Sequence, residues 1–146
     1  VTSSDPTSRQ AHPASAHRHL ACANPFSYEE RRQLIAAALA AAGTPASRYR
    51  IVAFPLDEPA LWPAIVPLGT AQIVRVFSDW EREKVRRFET AGYPTIVLVG
   101  DMPTRVSATD IRRALDQGAP WQHWVPPGTR ELLVRWRRTA MQAAES

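Results

Sequence analysis

The stretch Ala71-Gln72-Ile73-Val74-Arg75-Val76-Phe77-Ser78 is a nearly continuous apolar run. Such a run is typical of a strand that is covered on both faces of a sheet. An amphipathic helix is predicted directly after it, over residues 80–91, with Val85 and Phe88 on the inward side. A second buried strand is predicted at Thr95–Val99. The order strand, helix, strand favours two parallel neighbouring strands joined by a crossover helix.

Two further helices have a clear signal at their first residues. Ser27 followed by Glu30, and Ser107 followed by Asp110, are capping-box patterns. In such a box the hydroxyl and the carboxylate each bond a backbone N–H group that the helix leaves free. Each predicted helix ends at a glycine that follows its apolar stripe. The other predicted elements are a β-rich run at 49–54, one or two helical turns at 58–66 broken by Pro63, and a last helix at 129–143.

Strands and helices alternate along the chain, which predicts the α/β class. We expect a Rossmann-like parallel sheet with helices on both faces, folded as a single domain over residues 24–146. Residues 1–23 are rich in Ser, His, Pro and Ala without a regular period, so we predict a long loop there. The chain starts at Val1 instead of methionine, and residues 1–6 are typical of a strand end that runs into a turn. We therefore expect an N-terminally incomplete domain, in which the loop follows a missing βα unit of roughly 30 residues.

The composition of the 146 residues excludes several classes of protein. The longest uncharged apolar stretch, 34–43, is mostly alanine and far too short to span a bilayer. Cys22 is the only cysteine, which excludes an internal disulfide and a multi-cysteine metal site, and we assign it no role. We therefore expect a cytoplasmic protein without a membrane partner.

The net charge of +4 and the pI of about 10.0 suggest a nucleic-acid partner at first sight. However, Lys84 is the only lysine among the 18 basic residues, and the arginines are spread along the chain with acidic neighbours, as at 81–84. A phosphate-binding track needs clustered cations, so we expect no nucleic-acid partner. Four arginines of the last predicted helix are interpreted as a solvated face or, alternatively, as a surface for another copy in a homo-oligomer: Arg130, Arg135, Arg137 and Arg138.

The hexapeptide Ser107-Ala108-Thr109-Asp110-Ile111-Arg112 is the strongest candidate for a functional site. It places two hydroxyls at a helix N-terminus, where free N–H groups and the helix dipole favour anions. Arg112 lies one turn further along and offers a guanidinium fork to the same anion. The pattern predicts a polyphosphate site. The alternative is an ordinary N-cap at Ser107 and an exposed helix arginine at Arg112.

The same hexapeptide resembles the Ser-x-Thr-x-Ile-Arg signature of the nucleotidyltransferase superfamily. Members of that superfamily join a nucleoside monophosphate to a second phosphate and release pyrophosphate. Residues 24–136 also resemble one branch, the archaeal-type nicotinamide-nucleotide adenylyltransferases. The segments that carry this resemblance, in the family's order, are Asn24-Pro25-Phe26-Ser27-Tyr28-Glu29-Glu30-Arg31, Pro45-Ala46-Ser47-Arg48-Tyr49, Leu61-Trp62, and Trp121 through Val125-Pro126.

The resemblance implies a reaction in which ATP, with Mg²⁺ on its phosphates, transfers AMP to a phosphorylated acceptor, first of all nicotinamide mononucleotide. For the acceptor it implies Trp62, stacked on the base, together with Ser78 and Asp79. The alternative for Trp62 is a tryptophan of the core. Two other functions stay open, a cytidylyltransferase acting on another phosphorylated alcohol and a degenerate, non-catalytic module that binds a nucleotide or a partner. The residues implied for the ATP phosphates, with Arg112 as the catalytic one, are Ser107, Thr109, Ile111 and Arg112.

Two departures from the family pattern affect these expectations. The superfamily's His-x-Gly-His motif is absent, because His17-Arg18-His19 has no glycine and lies in the predicted loop. Arg18 is still a candidate for the ATP phosphates, with metal binding by the histidines or a solvated loop as the alternatives. We expect the 146 residues alone to be inactive and the complete form to be the enzyme. In addition, Ser78-Asp79-Trp80-Glu81 stands where the family has Ser-Gly-Asn-Pro beside the acceptor, so the acceptor stays open.

Overall fold

The computed structural model describes residues 2–3, 25–101 and 105–144. The chain divides into two compact units: the first comprises Val1–Pro25 and Val52–Arg105, and the second comprises Phe26–Ile51 and Val106–Ser146. The strands are β1 (Thr2–Ser3), β2 (Ala53–Phe54), β3 (Gln72–Val76) and β4 (Thr95–Val99). The helices are α1 (Tyr28–Ala41), α2 (Trp62–Ile65), α3 (Asp79–Thr90), α4 (Ala108–Gln117) and α5 (Pro127–Ala144). Short 3₁₀ turns occupy Ala46–Arg48, Pro59–Leu61 and Gln122–Trp124.

The first unit contains two pairs of parallel strands. β1 pairs with β2, with Thr2 opposite Ala53, and β3 pairs with β4 along its full length, ending with Val76 opposite Val99. Because α3 connects β3 to β4, the predicted strand–helix–strand unit and its parallel pairing are confirmed. Thr2 and Ser3 form β1, which agrees with the strand end predicted within residues 1–6 and shortens the predicted loop at its start. The rest of that segment, including Arg18, lies outside the described residues.

Only one face of β3 is buried and no residue of β4 is buried, so the prediction of strands covered on both faces is wrong. Val74 is buried, whereas its neighbour Ile73 is 66% exposed, and Val99, which lies opposite Val76, is 91% exposed. Successive side chains of a strand point to opposite faces, and the covered face packs against α3, since Val74 and Phe88 belong to one buried cluster. The structure thus shows a small parallel sheet of the α/β class. The full Rossmann-like sheet stays a prediction.

An aromatic cluster forms the core of the first unit. The Trp62 ring lies 5.1 Å from that of Phe88 and 5.2 Å from that of Phe54, measured between ring centroids. Its Nε1 atom donates a hydrogen bond of 2.8 Å to the carbonyl oxygen of Pro55, so the one polar atom of the indole is satisfied. The cluster joins α2 and α3 to β2 and β3. Its buried members are Phe54, Trp62, Val66, Val74, Phe88 and Tyr93.

The local signals at the helix ends are confirmed. Ser27 and Ser107 are N-caps with both capping-box hydrogen bonds in place. Gly118 adopts a left-handed φ of 65° after α4, a conformation in which glycine carries no Cβ penalty. The prolines differ from prediction: α5 begins at Pro127 instead of residue 129, and Pro63 lies in the first turn of α2 without breaking it. A proline is tolerated there because its missing N–H group has no partner in the first turn.

In the second unit, α1 packs against the N-terminal part of α5. The hydroxyl of Thr129 donates a hydrogen bond of 3.0 Å to the carbonyl oxygen of Leu34. The rings of Phe26 and Trp136 lie 5.9 Å apart. Gly128 lies against the backbone of Ala37, where a Cβ atom would collide with the carbonyl oxygen. The absence of a side chain at Gly128 therefore permits the close approach of the two helices.

Gly128→Ala is expected to destabilise the protein by about 1–3 kcal/mol, the usual cost of overpacking. The direction of this change is informative, because helix propensity alone would make alanine more stabilising than glycine at this position. Denaturant titration gives the free energy of unfolding of this variant and of a control, Arg130→Ala, at an exposed position of the same helix. The control should stay within about 0.5 kcal/mol of the wild type. Unchanged or higher stability of Gly128→Ala would contradict the close packing of α1 on α5.

Candidate functional site

The N-terminus of α4 contains the predicted phosphate site, and its cap is fully formed. The Oγ atom of Ser107 accepts a hydrogen bond of 3.2 Å from the amide of Asp110 and donates one of 2.6 Å to the Asp110 carboxylate. That carboxylate also accepts a hydrogen bond of 2.9 Å from the amide of Ser107. The Ser107 hydroxyl is therefore engaged in the cap, and an anion at this end of α4 is left chiefly to Thr109 and Arg112.

Thr109 and Arg112 meet on one side of α4. The Nη2 atom of Arg112 donates a hydrogen bond of 3.1 Å to the hydroxyl of Thr109. In the described part of the chain no carboxylate forms an ion pair with Arg112, whereas its neighbour Arg113 lies 4.0 Å from the carboxylate of Asp110. The guanidinium of Arg112 thus keeps its charge for a ligand. Ile111 is half-buried and has no polar side-chain atom, so its side chain packs against its neighbours and does not bond a phosphate.

The predicted acceptor residues Ser78 and Asp79 start α3. The Oγ atom of Ser78 donates a hydrogen bond of 2.6 Å to the carboxylate of Glu81, which also accepts one of 2.8 Å from the Ser78 amide. Burial acts to raise the pKa of Glu81, but the hydrogen bonds from Ser78 outweigh it and hold the pKa below its usual value. Asp79 is exposed and pairs with Arg82 at 2.6 Å. Ser78 thus caps the N-terminus of α3, and the first turn of that helix carries the carboxylates of Asp79 and Glu81.

Trp80, in the same segment, lies beside two cations. The Nζ atom of Lys84 lies 5.2 Å, and the Cζ atom of Arg87 5.6 Å, from the centroid of its ring. Both distances suit cation–π attraction, which is strongest for tryptophan. Arg87 also forms a 3.2 Å ion pair with Asp57, in which both side chains are mostly buried. The ion pair joins α3 to the segment that follows β2, whereas the two cation–π contacts lie within α3.

Trp62, predicted to stack on the acceptor base, is 0% exposed. Its ring packs against those of Phe54, Phe88 and Tyr93. The structure therefore places Trp62 in the core, which is the alternative weighed from the sequence, and leaves no open ring face for a base to stack on. Sequence alone does not distinguish these roles, because an aromatic ring suits a core and a base equally well.

Sequence reasoning missed a group of residues where β3 and β4 end. Phe77 directly follows β3 and Gly100 directly follows β4. The guanidinium of Arg105 lies over the Phe77 ring, with Cζ 4.9 Å from the centroid. The sequence could have indicated this group, because Phe77 and Gly100 directly follow predicted strands and open α/β sheets bind ligands at the carboxyl ends of their strands.

Within 2–3, 25–101 and 105–144, no helix is both long and apolar enough to cross a membrane. Over the same ranges, no three His, Cys, Asp or Glu side chains are grouped as a metal ion would require.

The first unit contains a parallel βαβ unit, and the second contains the capped helix that carries Thr109 and Arg112. These are features of an α/β protein. Comparison with known proteins gives the family. The chain is 32% identical to the phosphonoformate cytidylyltransferase of Streptomyces viridochromogenes over 133 residues, which are 91% of this chain and 72% of that protein. It is 30% identical over 111 residues to the nicotinamide-nucleotide adenylyltransferase of Thermococcus kodakarensis, and 28% identical over 116 residues to that of Pyrococcus furiosus. The chain belongs to the nucleotidyltransferase superfamily, so the resemblance predicted from the hexapeptide is confirmed.

The coverage of these relatives differs. The matches span 58% of the Thermococcus kodakarensis protein and 61% of the Pyrococcus furiosus protein, with 75% and 78% of this chain. No protein-family model matches the chain. No solved structure matches it either.

Proposed function

We propose that the complete protein transfers a nucleotidyl group from a nucleoside triphosphate to a small acceptor bearing a phosphate or phosphonate, and releases pyrophosphate. The observation that carries this proposal is the Thr109–Arg112 pair at the N-terminus of α4. It lies within the signature hexapeptide, in a chain whose relatives are a cytidylyltransferase and adenylyltransferases. The nucleoside triphosphate and the acceptor are thus its partners.

In the proposed reaction an oxygen of the acceptor attacks the α-phosphorus of the nucleotide in line. A new P–O bond forms, the bond from the α-phosphorus to the oxygen bridging to the β-phosphorus breaks, and pyrophosphate leaves with that oxygen. No protein nucleophile is needed, so the chain acts by positioning and by neutralising charge. Arg112 holds the departing phosphates by its guanidinium, while Thr109 orients that guanidinium. Mg²⁺ bound to the triphosphate would neutralise further charge.

Cytidylyl transfer to a small phosphonate or phosphate is the first candidate for the substrates. The match to phosphonoformate cytidylyltransferase covers 91% of the chain. Adenylyl transfer to nicotinamide mononucleotide is the second, supported by the archaeal relatives. Two features count against the second candidate: the Trp62 ring is buried in the core, and Asp79 and Glu81 stand where the adenylyltransferase branch has glycine and proline.

The test is pyrophosphate release by the full-length protein with Mg²⁺ and each pairing of CTP or ATP with phosphonoformate or nicotinamide mononucleotide. We expect acceptor-dependent release, with a higher kcat/KM for CTP and phosphonoformate than for ATP and nicotinamide mononucleotide. The reverse order would make the adenylyltransferase the better description. Nucleotide binding without acceptor-dependent release in any pairing would contradict the proposal and favour a non-catalytic nucleotide-binding module.

A further inference from the structure

An arginine, Arg105, lies against the carboxyl ends of β3 and β4. The amide of Gly100 donates a hydrogen bond of 2.9 Å to the carbonyl oxygen of Val76, which keeps the two strand ends together. The Phe77 ring lies against Gly100, where a Cβ atom would collide with it. Arg105 lies over this same ring, with Cζ 4.9 Å from the centroid. Gly100 thus makes room for the ring, and the ring supports the guanidinium.

The charge of Arg105 is not neutralised within the described residues, where no carboxylate forms an ion pair with it. The arginines of α3 differ, since Arg82 pairs with Asp79 and Arg87 pairs with Asp57. Arg105 is also exposed. A guanidinium that lies over an aromatic ring keeps the N–H donors of its edge for an oxyanion, and its planar fork suits the paired oxygens of a phosphate or phosphonate.

The residues that the sequence suggested for the acceptor supply the wrong charge for an anion. The hydroxyl of Ser78 is bonded to Glu81, and Asp79 adds a second carboxylate. An acceptor with a phosphate or phosphonate needs a cation that offsets its own charge where it binds. Arg105 provides one at the strand ends, which is where open α/β sheets bind ligands.

We infer that Arg105 binds the phosphate or phosphonate group of the acceptor, and that Phe77 is a positioning residue that holds the guanidinium ready. The inference rests on the proposed function for the existence of such an acceptor. It assigns the donor triphosphate to Arg112 and the acceptor anion to Arg105. The two arginines therefore serve different substrates, which makes their variants separable.

The test is calorimetric titration of the full-length protein with phosphonoformate, nicotinamide mononucleotide and CTP in turn. We expect Arg105→Gln to raise, by about tenfold or more, the Kd of whichever acceptor the wild-type protein binds. The reason is that the substitution removes charge-assisted hydrogen bonds. Arg105→Lys should recover part of the affinity, since it restores the charge without the planar fork. Phe77→Leu should weaken the same ligand less than Arg105→Gln does. The Kd of CTP should stay unchanged in all three variants.

A matched control is Arg86→Gln on α3, where the arginine side chain is 70% exposed and paired with Glu83. It should leave every Kd unchanged. The inference is overturned if Arg105→Gln leaves the acceptor Kd unchanged, if it weakens CTP instead, or if neither acceptor binds the wild-type protein at millimolar concentration. Acceptor binding that depends on Arg105 but leads to no pyrophosphate release would sustain the inference and count against the proposed function alone.

Discussion

Arg112→Lys in the full-length protein is expected to lower kcat/KM by about 100-fold, the usual cost of removing a positioned donor to a developing charge. Arg112 is oriented by its hydrogen bond to Thr109 and carries no ion pair within the described residues. Lysine keeps the positive charge but loses the planar, two-pronged contact with phosphate oxygens. Steady-state pyrophosphate release, with the donor and the acceptor varied separately, measures the loss.

The neighbouring residue provides the matched control. Arg113 is exposed and lies 4.0 Å from the carboxylate of Asp110, whereas the hydroxyl of Thr109 accepts its hydrogen bond from Arg112. Arg113→Lys should therefore change kcat/KM by less than about threefold. Equal and small effects at both positions would leave Arg112 as an ordinary surface arginine of α4.

Trp62→Ala is expected to reduce the free energy of unfolding by about 3–5 kcal/mol, the range for truncating a large buried aromatic side chain. Trp62 is 0% exposed and contacts three aromatic rings. The change would also leave the carbonyl oxygen of Pro55 without the indole donor that it has now. Denaturant titration measures the loss. Trp62→Phe should reduce the free energy of unfolding by less, because phenylalanine keeps an aromatic ring in the core even though it loses the hydrogen bond.

The exposed Trp124 serves as the control for Trp62, because its side chain is 37% exposed. Trp124→Ala should change the stability by less than about 1 kcal/mol. A core role for Trp62 also predicts that the soluble fraction of Trp62→Phe keeps the wild-type KM for both substrates. Wild-type stability of Trp62→Ala together with a higher KM for the acceptor alone would show that Trp62 binds the base.

Features set by neighbours in sequence were predicted well. The caps at Ser27 and Ser107 and the left-handed turn at Gly118 depend on residues within one helical turn. The crossover from β3 to β4 was also predicted, because an amphipathic helix between two apolar runs has few other arrangements.

Features set by distant partners were not predicted. The burial of Trp62 depends on Phe54 and Phe88, and the exposure of Ile73 depends on which elements cover the sheet. An apolar run looks the same whether one face or both faces are covered. The place of Arg105 over Phe77 joins residues 28 positions apart, so no local pattern shows it.

We expect the full-length protein to join a nucleotidyl group to a phosphorus-containing acceptor. ³¹P NMR of the full-length protein with CTP, Mg²⁺ and phosphonoformate follows every phosphorus atom of both substrates in one experiment. We expect pyrophosphate and a new phosphonoformate–CMP anhydride to appear in equal amounts as CTP disappears. Formation of CDP and inorganic phosphate, or pyrophosphate that appears equally without the acceptor, would show that no nucleotidyl group is transferred to the acceptor.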